Sequence, residues 1–162
     1  MKNTTLQNCV IWSYYDGNEE NTYAYNSYLW LDGSPQRLSV YNCIVSGIGQ
    51  MVGWSAAYNS VSIEKNFNNC SNYDCWFFDE YDMVFESFTG EDYVWTTEPL
   101  ILKAEVASQC LGVDGNQVGI HGGNMPYATR PTYMTSYRTT VDQHSTSDGK
   151  LNVHIEVVEG DK

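Results

Sequence analysis

The sequence predicts an all-β protein wound as a parallel β-helix of a few coils, followed by a C-terminal β-hairpin. Three observations support this prediction. Strand-like stretches are short and separated by brief turns, the pair Asn8-Cys9 recurs as Asn42-Cys43 inside an apolar alternation, and the tail alternates around a turn sequence. No apolar run at helical spacing extends beyond about two turns.

The repeat is clearest at the two Asn-Cys pairs, at positions 8–9 and 42–43. A weaker third copy, at residues 61–67, matches the stretch that begins at Leu38. In a solenoid each coil lays short strands on the coil below, so a recurring pair marks one corner. We therefore expect Asn8 to lie over or near Asn42, and Cys9 near Cys43, because asparagine tolerates tight turns and can bond its neighbours in the stack. A β-sandwich, which also has short alternating strands, is the alternative.

The chain is expected to have two regions. Residues 1–125 form the coils, with an irregular acidic and aromatic insertion at about 68–98, and residues 126–162 form a linker and the hairpin. Long loops are usually functional or disordered, and the aromatic content of this one favours order. Residues 100–107 are the one candidate for a short helix, and a Ser-Asp-Gly-Lys turn at 147–150 divides the hairpin.

Composition narrows the possible functions. The formal net charge is −12, from 8 basic and 20 acidic residues, which argues against nucleic acid and against adsorption to anionic membranes. No segment has the length and apolar character of a membrane insertion. The five cysteines form no CxxC pair and lie far from the histidines, so zinc is poorly supported. Cys70 and Cys75 could be bridged, but free thiols are favoured.

Several stretches resemble a known class. Residues 112–123, GVDGNQVGIHGG, are similar to the closing coil of bacterial surface proteins with a right-handed, pectate-lyase-like parallel β-helix, and residues 146–157 resemble the tail that follows it. The two Asn-Cys stretches resemble coils of the same class. The resemblance covers about half of the chain and implies the C-terminal part of a longer right-handed solenoid. The basic and calcium-binding catalytic signature of the β-helical lyases is not recognisable here.

The insertion carries a cluster of carboxylates. Asp79, Glu80 and Asp82 are the candidate metal ligands, and calcium, which takes six to eight oxygens, is the ion that they would suit. A solvated acidic loop is the favoured alternative. The same carboxylates could form a glycosidase pair, but the sequence does not determine their separation, and no catalytic residue is assigned.

Aromatic residues around two polar loops are the candidate ligand-binding groups. They are Trp12, Tyr28, Trp30, Trp76, Tyr81 and Trp95. Flat rings with polar edges suit stacking on sugars or docking on a protein. The alternative is that these rings cover the sides or the open end of the solenoid.

The sequence favours a non-enzymatic module for surface recognition or adhesion, with carbohydrate as the first expected ligand and a protein surface as the other. Such a module would belong to a longer extracellular or cell-surface protein. One alternative is the terminal part of a β-helical polysaccharide lyase or glycosidase. Another is a phage virion component, a tailspike or fibre, because no signal peptide is recognisable and exposed strand edges can pair in a homo-oligomer.

Overall fold

The chain forms two compact units, Met1–Tyr127 and Ala128–Lys162. In the first unit, this computed structural model shows the predicted all-β parallel solenoid, which makes about four full turns from its first pair of strands to its fifth. The structure describes residues 4–13, 21–90, 100–124 and 126 of the first unit. In the second unit it describes the backbone of two strands, 135–141 and 153–158.

The described residues of the first unit form ten short strands, two in each of five coils. They are β1 (Thr5–Gln7), β2 (Val10–Ser13), β3 (Thr22–Tyr25), β4 (Tyr28–Leu31), β5 (Leu38–Tyr41), β6 (Ile44–Ser46), β7 (Val52–Tyr58), β8 (Val61–Ile63), β9 (Asn69–Tyr73) and β10 (Trp76–Phe78). The odd-numbered strands pair in parallel, in chain order, as one sheet, which we call sheet A. The even-numbered strands pair in the same way as sheet B.

The true repeat is one coil, which is half the predicted spacing. Hydrogen bonds join equivalent positions of successive coils that are 16, 17 and 18 apart in sequence. The spacing from Asn8 to Asn42 therefore spans two coils, and the prediction that Asn8 lies over Asn42 is wrong in this respect. The two residues occupy the same corner of the solenoid, but the Asn26 corner lies between them. The prediction of a third copy at residues 61–67 is also wrong. Val61–Ile63 belongs to sheet B, where it pairs with β6, whereas the strand that begins at Leu38 belongs to sheet A.

Each corner that leads from sheet A to sheet B is a single residue in the left-handed backbone region. The corner residues are Asn8 (φ 50°), Asn26 (46°), Asn42 (53°), Asn59 (43°) and Asp74 (51°). Asparagine and aspartate tolerate this region because their short polar side chains can bond locally. The Asn42 amide donates to Asn26 Oδ1 at 3.2 Å, and Asn42 Oδ1 accepts the Val113 N–H at 3.2 Å. Side chains thus join the neighbouring corners Asn26 and Asn42, as the sequence predicted, whereas the Asn8 amide donates to the Ile120 carbonyl instead.

The residue after each corner alternates between cysteine and serine. These residues are Cys9, Ser27, Cys43, Ser60 and Cys75. The Cys9 N–H donates to Ser27 Oγ at 3.0 Å, and the Cys43 N–H donates to Ser60 Oγ at 3.0 Å. Burial raises the pKa of the Cys43 thiol to about 12, and all five cysteines are free thiols. Because serine occupies every second coil, the Asn-Cys pair recurs only after two coils.

Aliphatic side chains from both sheets fill the interior of the coils. Members of this core include Leu29, Leu31, Leu38, Val40, Val45, Met51 and Phe67. The inward column of Ala24, Val40 and Ala57 ends in coil five at Asn72. The Asn72 amide donates to the carbonyl oxygens of Phe67 and Cys70, both at 3.4 Å. A polar residue therefore caps this end of the apolar core.

Residues 79–90 and 100–124 cover the outer face of sheet B. A second core lies between them and the sheet, and its members include Tyr28, Ile44, Val61, Ile63, Phe85, Phe88, Leu100, Leu102 and Val106. The Tyr28 ring meets the rings of Phe85 and Phe88 edge-on, each at 6.0 Å between centroids. The irregular region begins after Phe78 rather than at about 68, because residues 69–78 contain the two strands of coil five.

The glycine-rich segment at 112–123 lies across the corners. The Gly119 N–H donates to the Asn42 carbonyl at 2.8 Å, and the Asn8 amide donates to the Ile120 carbonyl at 3.3 Å. A Cβ on Gly112 would lie 2.6 Å from Asn42 Cγ, so only glycine permits this approach. Residues 112–123 contribute no strand to either sheet, in contrast to the closing coil that the resemblance implied.

The helices of the described residues are α1 (Ala104–Gln109) and a 3-10 helix (Tyr81–Met83). Helix α1 overlaps the stretch predicted to be helical, 100–107, over residues 104–107 and ends two residues beyond it. Neither helix has the length and apolar character needed to cross a membrane. In the second unit β11 (Thr135–Val141) pairs antiparallel with β12 (Val153–Val158), which are the strands of the predicted hairpin. The turn predicted between them, at 147–150, lies outside the described residues.

Replacement of Asn42 by alanine is expected to lower the free energy of unfolding by about 2–4 kcal/mol, because left-handed strain adds to the loss of two hydrogen bonds. Asn42→Gly should cost only about 1–2 kcal/mol, since glycine adopts this backbone freely. Urea denaturation measures both, and Asn68→Ala, at an exposed position, should change stability by less than about 0.5 kcal/mol. Equal losses for the alanine and glycine variants would contradict the role assigned to the corner.

Candidate functional site

A cleft of about 250 Å³ opens where the covering residues meet the turns that follow the strands of sheet B. Its lining residues are Trp30, Gly47, Ile48, Glu64, Glu80, Tyr81, Thr89 and Gly90. Ligand sites are typically concave, with apolar walls and a few convergent polar groups. The cleft has these features, and its volume suits a single ring-sized group.

Trp30, on β4, forms an aromatic wall of the cleft. Its ring stacks on that of Trp12, its register partner in coil one, with centroids 3.9 Å apart and planes inclined by 5°. Its register partner in coil three is Ser46, which Gly47 follows. A Cβ on Gly47 would lie 3.0 Å from the Trp30 ring. Because Ser46 and Gly47 in coil three are small, space remains beside the Trp30 ring, and this space is part of the cleft.

Tyr81, from the 3-10 helix, brings a fixed hydroxyl to the cleft. The hydroxyl donates to Glu64 Oε2 at 3.1 Å and accepts the Gly47 N–H at 3.3 Å. The ring meets Phe88 edge-on at 5.4 Å, and a Cβ on Gly90 would lie 2.6 Å from Tyr81 Cζ. Burial raises the pKa of Tyr81, and the Glu64 carboxylate raises it further. The phenol is thus a neutral donor at physiological pH.

A buried hydroxyl pair supports Tyr81 from the core. Tyr28 Oη and Ser46 Oγ lie 2.7 Å apart, and the residue after Ser46, Gly47, donates its N–H to Tyr81 Oη at 3.3 Å. Burial raises the pKa of Tyr28, and nearby Tyr81 and Glu64 raise it as well. The buried pair fixes the end of β6, and the Gly47 N–H that follows it fixes the Tyr81 hydroxyl against Glu64.

Glu64 reaches the cleft from a strained turn. The φ angles of Glu64 and Lys65 are 65° and 69°, in the left-handed region that residues other than glycine seldom adopt. Strain of this kind costs on the order of 1–3 kcal/mol per residue and is concentrated at functional sites. The strained backbone holds the exposed Glu64 side chain against the Tyr81 hydroxyl.

Glu64 and Glu80 make the cleft acidic. The described lining residues include no lysine, arginine or histidine, and the whole chain carries a formal net charge of −12. A field of this sign repels anions and attracts cations. Ionised carboxylates accept hydrogen bonds, so the cleft suits a neutral hydroxyl-bearing group or an amine rather than an acid.

The cleft includes some of the predicted ligand-binding residues and excludes others. Trp30 and Tyr81 line it, and Trp12 supports Trp30 from coil one. Tyr28 is buried beneath the covering residues, and Trp76 packs against that same core. These two rings belong to the core between sheet B and its covering residues and do not line the cleft. Trp95 lies outside the described residues.

The three predicted metal ligands do not converge on one point. All three are exposed, and among them Glu80 lines the cleft whereas Asp79 and Asp82 do not. Throughout the part of the chain that the structure describes, no group of three or more histidine, cysteine, aspartate or glutamate side chains could hold a metal ion.

The sequence did not single out Glu64, Ile48 or Thr89. Knowledge of the one-coil period would have pointed to Glu64, because it directly follows β8, as Gly47 directly follows β6 one coil earlier. Ile48 precedes the next strand and is 76% exposed, which alternation alone does not predict. Thr89 belongs to the irregular covering region, where no period applies.

Comparison with protein-family models finds no match, and no curated protein or solved structure is significantly similar to the chain. The resemblance to pectate-lyase-like proteins is supported only at the level of a parallel β-solenoid.

Stability is expected to fall above about pH 10. The ordinary tyrosine pKa is 10.0, and burial raises that of Tyr28 in the folded state. The folded protein therefore holds this proton more tightly than the unfolded chain, so the contribution is complete below pH 10 and is lost as the pH rises above it. Urea midpoints between about pH 9 and about pH 11 measure the effect, and Tyr28→Phe should flatten the alkaline slope. An identical slope in both proteins would contradict the assignment.

Proposed function

We propose that the protein is a non-enzymatic recognition module that binds one neutral or amino-sugar unit of a carbohydrate in the cleft. The observation that carries this proposal is the placement of an aromatic wall, Trp30, beside a fixed phenol, Tyr81, and a carboxylate, Glu64. A sugar ring needs an apolar surface for its C–H groups and polar partners for its hydroxyls. The cleft offers both within about 250 Å³.

The polar groups determine which sugars are expected. A carboxylate accepts hydrogen bonds from sugar hydroxyls, and it binds a protonated amine more strongly because charge-assisted bonds are about twice as strong. Glu80 adds a second negative charge to the same cleft. Uronic and sialic acids would be repelled, so neutral hexoses and amino sugars are the expected ligands.

Preorganisation supports binding over a merely structural role. The hydrogen bonds of Tyr81 and the positive φ of Glu64 fix both groups before any ligand arrives. Groups that are fixed in advance lose little conformational entropy on binding. A single-ring site of this size gives weak affinity by itself, which suits adhesion through many copies.

A glycosidase is the second candidate, because two carboxylates, Glu64 and Glu80, line one cleft. Retaining glycosidases place two carboxyl groups about 5–5.5 Å apart, and inverting enzymes about 6.5–9.5 Å apart. Release of reducing sugar from a bound glycan would support this candidate over simple recognition. An extracellular or cell-surface location remains part of the proposal in either case.

Calorimetric titration with neutral, amino and acidic monosaccharides tests the proposed function. Glu64→Gln keeps the shape of the side chain but removes its charge, so we expect amino-sugar affinity to fall about tenfold and neutral-sugar affinity to fall less. Ile48→Ala should also weaken binding. Its matched control is Val113→Ala, an aliphatic side chain 78% exposed against 76% for Ile48, which should leave binding unchanged.

Two results would overturn the proposed function. One is no binding of any sugar by the wild-type protein on a broad glycan array. The other is binding that Glu64→Gln and Ile48→Ala leave intact, which would place the sugar elsewhere. Thermal denaturation of each variant separates a lost site from a lost fold.

A further inference from the structure

The outer face of sheet A differs from that of sheet B. Parallel register places equivalent outward residues of coils two to five in columns, and a column of four tyrosines runs along the solenoid. We call it the tyrosine ridge: Tyr25, Tyr41, Tyr58 and Tyr73. Successive ring centroids are 4.8, 4.7 and 5.0 Å apart, and successive planes are inclined by 10° or less.

The ridge presents ring edges and hydroxyls rather than ring faces. Strands in a sheet lie about 4.8 Å apart, so identical outward rings in register cover the faces of one another. Tyr73 ends the ridge and is 53% exposed, because no further ring covers its outer side. Burial raises the pKa of Tyr41, and its tyrosine neighbours raise it further, so this phenol is uncharged at physiological pH.

A groove lies beside the ridge. Ser39, Ala56 and Ser71 are register partners in coils three to five, two residues before the ridge tyrosines, and we call this column the small-residue groove. Trp54, two residues before Ala56, stands at the other side of the groove and is 84% exposed. In coil two the same column holds Tyr23, which closes that end of the groove.

This face is uncharged in an acidic protein. The outward residues of β5, β7 and β9 include no aspartate or glutamate, although the chain has 20 acidic residues and a formal net charge of −12. Two copies of such a chain repel one another over most of their surfaces. The ridge and groove are a surface on which two copies can meet without opposing carboxylates.

We infer that a second copy of this chain docks on the face, ridge into groove. A two-fold axis parallel to the solenoid axis places the ridge of each copy opposite the groove of the other, with Tyr58 of one copy facing Ala56 of the other. A two-fold axis across the columns would instead place ridge on ridge and leave both grooves empty. Self-complementarity of this kind is what a two-fold interface requires.

The same geometry argues against a sugar on this face. Sugars stack on free ring faces, and the two inner rings of the ridge, Tyr41 and Tyr58, are covered on both sides by other tyrosines. The groove and the opposing ridge match over coils three to five, about 14 Å along the axis, which is small for a specific protein interface. The dimer is therefore expected to be weak and reversible. None of the cleft residues belongs to the face, so both clefts stay open for bivalent binding.

Sedimentation velocity of the purified chain, from about 10 μM to about 1 mM, tests the inference over the range expected for a small interface. The expected result is a reversible monomer–dimer equilibrium that strengthens in salt, because screening reduces repulsion between acidic copies. Ala56→Arg fills the groove and adds a charge, and it should weaken association at least tenfold. Ser108→Arg, at an exposed position of α1, is the matched control and should associate like the wild type.

Circular dichroism reports whether Ala56→Arg folds. Trp54→Ser serves as the second variant, because its exposed side chain contributes little to the fold, and it should also weaken the dimer. A chain that stays monomeric at about 1 mM overturns the inference, as does a dimer that both folded variants retain. So does a neutral glycan that binds the monomer and is lost in Ala56→Arg, because the face would then serve a sugar.

Discussion

The structure depends on one backbone conformation, the left-handed corner, repeated five times. A single residue with positive φ carries the chain from sheet A to sheet B in each coil. Asparagine and aspartate meet this requirement because their short polar side chains tolerate the left-handed region, and the Asn42 amide also donates to the Asn26 corner. Once the corners stack, strand spacing sets every other repeat in the molecule. The cysteine and serine side chains stack in one column and the ridge tyrosines stack in another because the coils hold equivalent residues about 4.8 Å apart.

The two outer faces of the solenoid have different environments. Residues 79–90 and 100–124 bury one face of sheet B under a second aromatic and aliphatic core, whereas the ridge of sheet A keeps its polar edges outward. The cleft forms at the boundary of the covered face, where the bulky Trp30 of coil two is followed by small residues in coil three. A binding site at this boundary combines the rigidity of the coils with the chemical variety of an irregular segment.

The fold class could be predicted because alternation and the Asn-Cys pair reflect the corner directly. The period could not be found from that pair alone, since Ser27 and Ser60 take the place of cysteine in alternate coils. The tripeptides beginning at Tyr25, Tyr41, Tyr58 and Tyr73 carry the period of one coil. Trp30, Tyr81 and Glu80 were predictable as aromatic and acidic candidates, but the role of Glu64 depends on register and on a strained turn that composition does not reveal.

Solution NMR tests the central claim, that each coil closes at one left-handed corner and that Asn8 and Asn42 are two coils apart. Backbone NOEs between parallel strands should connect Tyr25 with Tyr41 and Tyr41 with Tyr58, as the register requires. No strand-pairing NOE should connect Asn8 with Asn42. NOEs that join β1 directly to β5, or an antiparallel pattern within sheet A, would contradict the winding described here.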